Sequence, residues 1–381
     1  MNLKKENIFW VIVILTLLST IRTFIIPLQA DELTYFNISE NILNGKYYQI
    51  NNPSTVSPII PFIISLFKIP GYPQLSIFLV KLFQILITIA GFRYLILILK
   101  KIEIDEKIKV ILLCLTIVNP IGITYYSNLY PASVIFFAFW GIIYYCSSNS
   151  YSRITLIKIL VMFVILSLTR YLYLLMWIPI SFYVYNYVKH NKIEFYSFNF
   201  LKTFLIVIIP LMLWFKYVYN IESINESEIS YFDRFKKDNF LVYSIKAGLG
   251  VIKHHEVSRI NGLPAFASLF VPITGFRNFA LSIILIVAFL FGFIFNKKKA
   301  MRSMFYSTIL IMLGLILAGT GFSRYWVTML PAYYLGFYLA YNKLKFKDKY
   351  FVYCSYLLCF IYIINEFRLN YLIINKYLLN D

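Results

Sequence analysis

Asp31 and Glu32 form an adjacent acidic pair in the polar stretch ADELTYFNISENILNGKYYQINNPSTVSP, part of a loop at about 27–57 that directly follows an apolar segment. An ionised carboxylate is costly to hold beside hydrocarbon, so a pair kept where a chain leaves a bilayer is a candidate for chemistry. Asp31 is placed to N-cap a helix in which Leu33, Tyr35, Phe36, Ile38, Ile42 and Leu43 recur at helical spacing, with Asn37, Glu40, Asn41 and Asn44 on the other face and Gly45 as a stop. At a helix N-terminus the macrodipole holds a carboxylate ionised, ready to take a proton from a hydroxyl. Capping alone is the simpler role for Asp31, but a cap does not require Glu32 beside it. His254 and His255 are two of only three histidines, with Lys253, Glu256 and Arg259 nearby. Adjacent side chains point to different sides of a helix or strand, so one shared metal is geometrically poor. The two histidines read as a solvated loop patch or as contacts to a substrate headgroup.

The elements that must position these groups are set by composition. The chain has 381 residues, 60% hydrophobic, 19% aromatic and only 14% charged, with a mean hydropathy of +0.72. That leaves too little polar surface for a soluble domain and implies an all-α polytopic membrane protein. The net charge of +19 raises nucleic acid as a partner. The basic residues fall between apolar runs, however, which makes them membrane-orientation signals and excludes a nucleic-acid footprint. Cys114, Cys146, Cys354 and Cys359 lie in apolar stretches without a CxxC and read as small buried hydrophobes. The N-terminal MNLKKEN precedes an apolar run longer than the roughly 7–15 residues of a secretory signal, which favours an uncleaved signal-anchor.

A helix needs about 20 apolar residues to cross hydrocarbon, and that ruler predicts about eleven spans. They fall at 8–26, 74–99, 109–125, 131–147, 155–169, 171–187, 203–219, 278–296, 302–319, 325–341 and 350–366. Pro58 to Ile69 is too short to cross and is expected to form a re-entrant or interfacial helix. Alternate connections carry the Lys and Arg, from Lys4 and Lys5 through Lys100, Lys101 and Lys107 to Lys298, Lys299 and the run from Lys343 to Lys349. That side is expected to be cytoplasmic, with the Asp31–Glu32 loop facing away from it and the helix after Asp31 lying amphipathically on the outer surface. A long late loop at about 220–277 should hold one or two short helices, and with no repeat or linker the chain 1–381 reads as a single integral domain.

One span, then Asp31-Glu32-x-x-Tyr35, then Asn41-Ile42-Leu43-x-Gly45, then a Pro-rich entry (Pro58, Pro61) to the next apolar helix resembles the opening of GT-C glycosyltransferases. The protein O-mannosyltransferases and the lipid A aminoarabinose transferase are members of the family that it resembles. The resemblance covers about the first 100 residues and single residues beyond. It implies a polyprenyl-phosphate sugar as donor, a glycan, lipid or protein as acceptor, and catalysis by an acidic residue of the first outward loop, Asp31 or Glu32. It further implies that Arg324, in GFSRYWVTMLP, forks onto the donor phosphate and that Arg170, in SLTRYLYLL, does the same from a middle hairpin. Snorkelling to lipid headgroups is the alternative role of both arginines. Tyr35, Tyr47 and Tyr48 are positioned to stack on the sugar or to anchor at the interface.

Two departures from the family pattern bear on the donor site. Many members place a second carboxylate at the turn between the third and fourth spans, where this chain reads YYSNLYPASVIFF. A metal shared between that turn and the first loop is therefore not favoured, and no cofactor is expected. Ser57 stands where some relatives carry a basic residue, which leaves the phosphate to Arg324, Arg170 and Lys46. The expectation is an inverting glycosyltransferase of the inner (plasma) membrane with its site facing outward. The alternative is a surface-polysaccharide polymerase or ligase, working through His254, His255 and Arg259. A transporter without chemistry is a third reading, which the expected lack of a carboxylate within a span weakens.

Overall fold

The computed structural model describes residues 7–47, 56–192, 197–224, 240–252, 262–271, 276–294, 296, 298–319 and 322–379. Among these residues every regular element is helical, with no strand. Five helical stretches are long and apolar enough to cross a membrane: Asn7–Ile25, Pro73–Lys100, Phe200–Ile221, Lys299–Leu317 and Asp348–Leu378. A sixth forms if Glu106–Ile117 and Pro120–Ser127, bent by 59° at their junction, count as one. Phe200–Ile221 carries the plainest membrane signature, because Leu205, Ile208, Ile209, Met212 and Leu213 are all exposed on an already apolar helix. A helix apolar on every side and uncovered by protein belongs in hydrocarbon.

The other five expected spans also hold helices, but shorter ones than about 20 residues. In Ala132–Cys146 almost all side chains are buried within protein, so its apolarity does not by itself report contact with lipid. The 3-10 turn Tyr171–Met176 runs directly into Trp177–Asn191, and the short turns Ser323–Trp326 and Val327–Met329 run into Leu330–Lys343. The last long helix reaches Ile374, which places Glu366 well inside it. The expected lack of a carboxylate within a span is thereby corrected.

Polar residues set the local breaks. The bend comes at Asn119–Pro120, where proline cannot donate to the preceding turn. Asn119 repairs the break: its Oδ1 accepts from Gly122 N at 3.0 Å, and its Nδ2 donates to Leu269 O at 2.8 Å and to Tyr334 OH at 3.2 Å. Ser152 and Asn278 cap Arg153–Thr169 and Phe279–Phe293 in the same manner, through side-chain oxygens that accept from Thr155 N and Leu281 N.

The chain forms two compact units. The first comprises Met1–Leu28, Leu95–Asn128 and Ser244–Asp381; the second comprises Gln29–Tyr94 and Leu129–Tyr243. In the first unit, Phe279–Phe293 and Leu330–Lys343 meet at glycines. A Cβ at Gly292 would stand 2.0 Å from Gly336 O, so only hydrogen fits there. In the second unit, Asp31–Leu43 packs on the short helix Ile59–Leu66, and Ala132–Cys146 packs on Arg153–Thr169. The late loop contains the helix Phe240–Leu249 and the 3-10 turn Leu263–Leu269 within its described part.

Candidate functional site

Helix Asp31–Leu43 starts one residue earlier than its sequence suggests. Its N-cap is Ala30, whose carbonyl accepts from Leu33 N at 3.1 Å, so Asp31 is the first helical residue and not the cap. Ala30 holds φ 48°, a strained conformation for a residue with a Cβ.

The two carboxylates then diverge. Glu32 is 3% exposed and shares the buried face of the helix with Tyr35, Ile38 and Ser39. Its Oε2 accepts from Gln29 N at 3.2 Å, folding back over the helix start, and its Oε1 accepts from Leu129 N at 2.9 Å. The Lys81 ammonium, 1% exposed, interacts electrostatically with the same carboxylate. Asp31 is partly exposed at the N-terminal end of the helix, where the helix macrodipole favours an anion.

Lys81 was not legible as a site residue, because it sits inside the apolar run at 74–99. With Gln84 and Thr88 it forms a polar stripe on Pro73–Lys100, and all three are buried. Gln84 Nε2 donates to Tyr130 O at 3.2 Å. The 129–130 backbone is therefore held by Glu32 at the Leu129 amide and by Gln84 at the Tyr130 carbonyl. This turn follows Pro120–Ser127, and the first loop reaches it through an amide hydrogen bond.

Farther along the loop, Lys46 is exposed just beyond the helix end, its amide donating to Asn41 O at 2.9 Å. The Tyr47 hydroxyl donates to Val56 O at 3.0 Å, and its ring meets Trp214 edge-on at 4.9 Å. Trp214 Nε1 in turn donates to Tyr171 OH at 2.8 Å, and Tyr171 directly follows Arg170. Trp214, unremarked in the apolar run 203–219, thus connects the acidic loop to the arginine hairpin. Arg170 terminates Arg153–Thr169 in an extended conformation, its amide donating to Leu166 O at 3.0 Å.

Asp31, Glu32, Tyr35, Lys46 and Arg170 all belong to the second unit, whereas Arg324 belongs to the first. Arg324 lies over the rings of Phe322 and Tyr325 at 4.6 and 5.3 Å, partly exposed at the start of Ser323–Trp326. His254, His255, Arg259 and Tyr48 lie outside the described residues. Among the described residues no three His, Cys, Asp or Glu side chains gather as a metal-binding group.

A second buried polar cluster lies in the first unit. Arg22 forms an ion pair with Glu366 Oε2, and the two side chains are 7% and 5% exposed. Ser19 Oγ donates to the same oxygen at 2.7 Å and accepts from Asn370 Nδ2 at 3.0 Å. Arg22 also donates to Asn370 Oδ1 and to Thr124 Oγ1, each at 3.2 Å. Neither Arg22 nor Glu366 stands out in the sequence, because each borders an apolar run.

Comparison with protein-family models, with curated proteins and with solved structures finds no match to this chain.

Proposed function

We propose that the chain is a membrane glycosyltransferase that moves a sugar from a polyprenyl-phosphate donor to a hydroxyl of a glycan, lipid or protein acceptor, with inversion. The observation that carries this reading is the division of labour between the adjacent carboxylates. Glu32 is buried and committed to two backbone amides, whereas Asp31 is partly exposed at the start of the same helix. A pair made different by its surroundings suits one positioning group and one proton acceptor.

In the proposed reaction the acceptor oxygen attacks the anomeric carbon as the bond from that carbon to phosphate breaks. The leaving polyprenyl phosphate keeps the bonding electrons, and Asp31 takes the hydroxyl proton. Arg170 and Arg324 are the proposed guanidinium partners of the departing phosphate, with Lys46 as an added positive charge. Tyr35, Tyr47, His254 and His255 are the proposed sugar or acceptor contacts.

The same reading makes the protein a multi-pass protein of the inner (plasma) membrane, N-terminus in the cytoplasm and active site outward. It takes all of the roughly eleven expected spans as crossings, the shorter ones extended by adjoining turns such as Tyr171–Met176. Asp31→Asn tests it by mass spectrometry of surface glycans and by turnover of a polyprenyl-phosphate sugar. Donor binding should persist while turnover falls by on the order of 10²–10⁴-fold, the range for a lost general base. Near-normal turnover would remove Asp31 from the reaction and favour the polymerase reading.

A further inference from the structure

The Arg22–Glu366 cluster borders a pocket in the first unit, and the pocket is chemically specific. Its lining includes Leu15, Thr16, Leu18, Ser19, Glu366 and Phe367. Its free volume is about 30 Å³, and about 10–15 Å³ on this measure admits a water, so it has room for one hydroxymethyl group.

Two polar atoms in the lining make no hydrogen bond to protein. Glu366 Oε2 is taken up by Arg22 and Ser19, but Oε1 is buried without a donor, and Thr16 Oγ1 is buried without a partner. Glu366 as a whole is 4% exposed, so bulk water does not supply the missing bond.

These atoms select among ligands. The guanidinium of Arg22 opposes a bound cation, and the carboxylate of Glu366 opposes an anion. A neutral hydroxyl fits both unmet needs, donating its proton to Glu366 Oε1 and accepting one from Thr16 Oγ1. The rim favours a lipid-borne hydroxyl over a free polar one: Leu18 and Phe367 are exposed, 54% and 55%, on two helices apolar enough to span a membrane.

We propose that this pocket binds the hydroxyl head of a lipid-phase alcohol, whose chain lies outside along Leu18 and Phe367. The site is independent of the glycosyltransferase reading, which rests on residues of the other unit. It takes either a free long-chain alcohol or the glycerol hydroxyl of a phospholipid headgroup, the same chemistry from two sources.

The test is photolabelling of the full chain in nanodiscs with a diazirine-bearing medium-chain alkanol, followed by peptide mass spectrometry. Adducts are expected on Glu366 or on the peptides containing Leu15–Ser19 and Ile363–Asn370. Excess plain alkanol should displace them. Displacement by an isoprenoid or straight-chain alcohol alone identifies a free alcohol as the source, and displacement by phosphatidylglycerol identifies the headgroup hydroxyl. Glu366→Gln disturbs the ion pair and can compromise folding, so two gentler variants accompany it. Thr16→Val should weaken competable labelling about 2–10-fold, the range for one neutral hydrogen bond. Leu15→Phe, which adds bulk to the lining, should abolish it, with both variants eluting as wild type in size-exclusion chromatography. Labelling that no alcohol or lipid displaces, that falls elsewhere, or that is unchanged in both variants overturns the proposal and leaves the pocket to water.

Discussion

Breaking the Glu32 anchor should cost more than any other single change in the acidic loop. In Glu32→Gln the carboxamide keeps the shape but has only one oxygen for the amides of Gln29 and Leu129, and it removes the negative charge facing Lys81. Both Glu32 and Lys81 are at most 3% exposed, so solvent cannot replace the lost partner. Removing one member of a buried charge pair typically costs about 3–5 kcal/mol, because it strands the other charge. For a compact unit of roughly 150–250 residues each kcal/mol lowers the melting temperature by about 2–4 °C, so the expected loss is on the order of 6–20 °C. On a Cys354→Ser background, which removes the exposed thiol of the other unit, a thiol-reactive dye reads this unfolding, since Cys146 is buried in the same unit as Glu32. The decisive comparison is the double variant Glu32→Gln/Lys81→Met, which removes both charges. It should be more stable than the sum of the two single losses predicts, with a coupling of about 1–3 kcal/mol. A Glu32→Gln protein melting within a degree of wild type, or strictly additive losses, would refute the claim that Glu32 is a positioning group held by Lys81.

Three further outcomes follow from the proposed chemistry. Arg324→Lys should weaken donor binding and lower turnover together, because an ammonium cannot reproduce a bidentate fork onto a phosphate that is charged before and during reaction; unchanged kinetics would return Arg324 to snorkelling. Turnover should survive EDTA if guanidinium groups neutralise the leaving phosphate, and complete dependence on an added divalent ion would contradict that assignment. Cysteine labelling in intact cells should reach positions 31 and 324 from outside and position 298 only from inside; finding positions 31 and 298 on one face would overturn the proposed orientation.

Much of the helical character was legible because hydropathy and helical periodicity are local properties. The helix at Asp31–Leu43 follows from the recurrence of Tyr35 and Ile38, both of which are buried. Which carboxylate turns inward was not legible. A periodicity count treats Glu32 as one more polar residue, and its partner amide at Leu129 lies 97 positions away. Lys81 and Gln84 were hidden for the opposite reason, as two polar residues diluted by an apolar run. Arg22 and Glu366, 344 positions apart, show the same limit: each reads as a single charge near the end of an expected span until tertiary structure pairs them. Only five of the eleven expected spans, or six with the bent pair, are long helices, because a hydropathy window reads apolarity and not helix length, as at the 15-residue Ala132–Cys146.

The glycine contact between Phe279–Phe293 and Leu330–Lys343 bears on how such a chain finds its own neighbours. Within a bilayer every Leu and Ile is as well solvated by lipid tails as by another helix, so apolar character carries no information about pairing. What distinguishes one helix from the next is then where atoms are missing. At Gly292 the partner's carbonyl comes so near that even a methyl group is excluded, and at Gly336 a Cβ would stand 2.6 Å from the ring of Phe289. The address by which these two helices recognise each other is thus written as a notch in an otherwise uniform apolar surface, by the two residues that contribute no side chain.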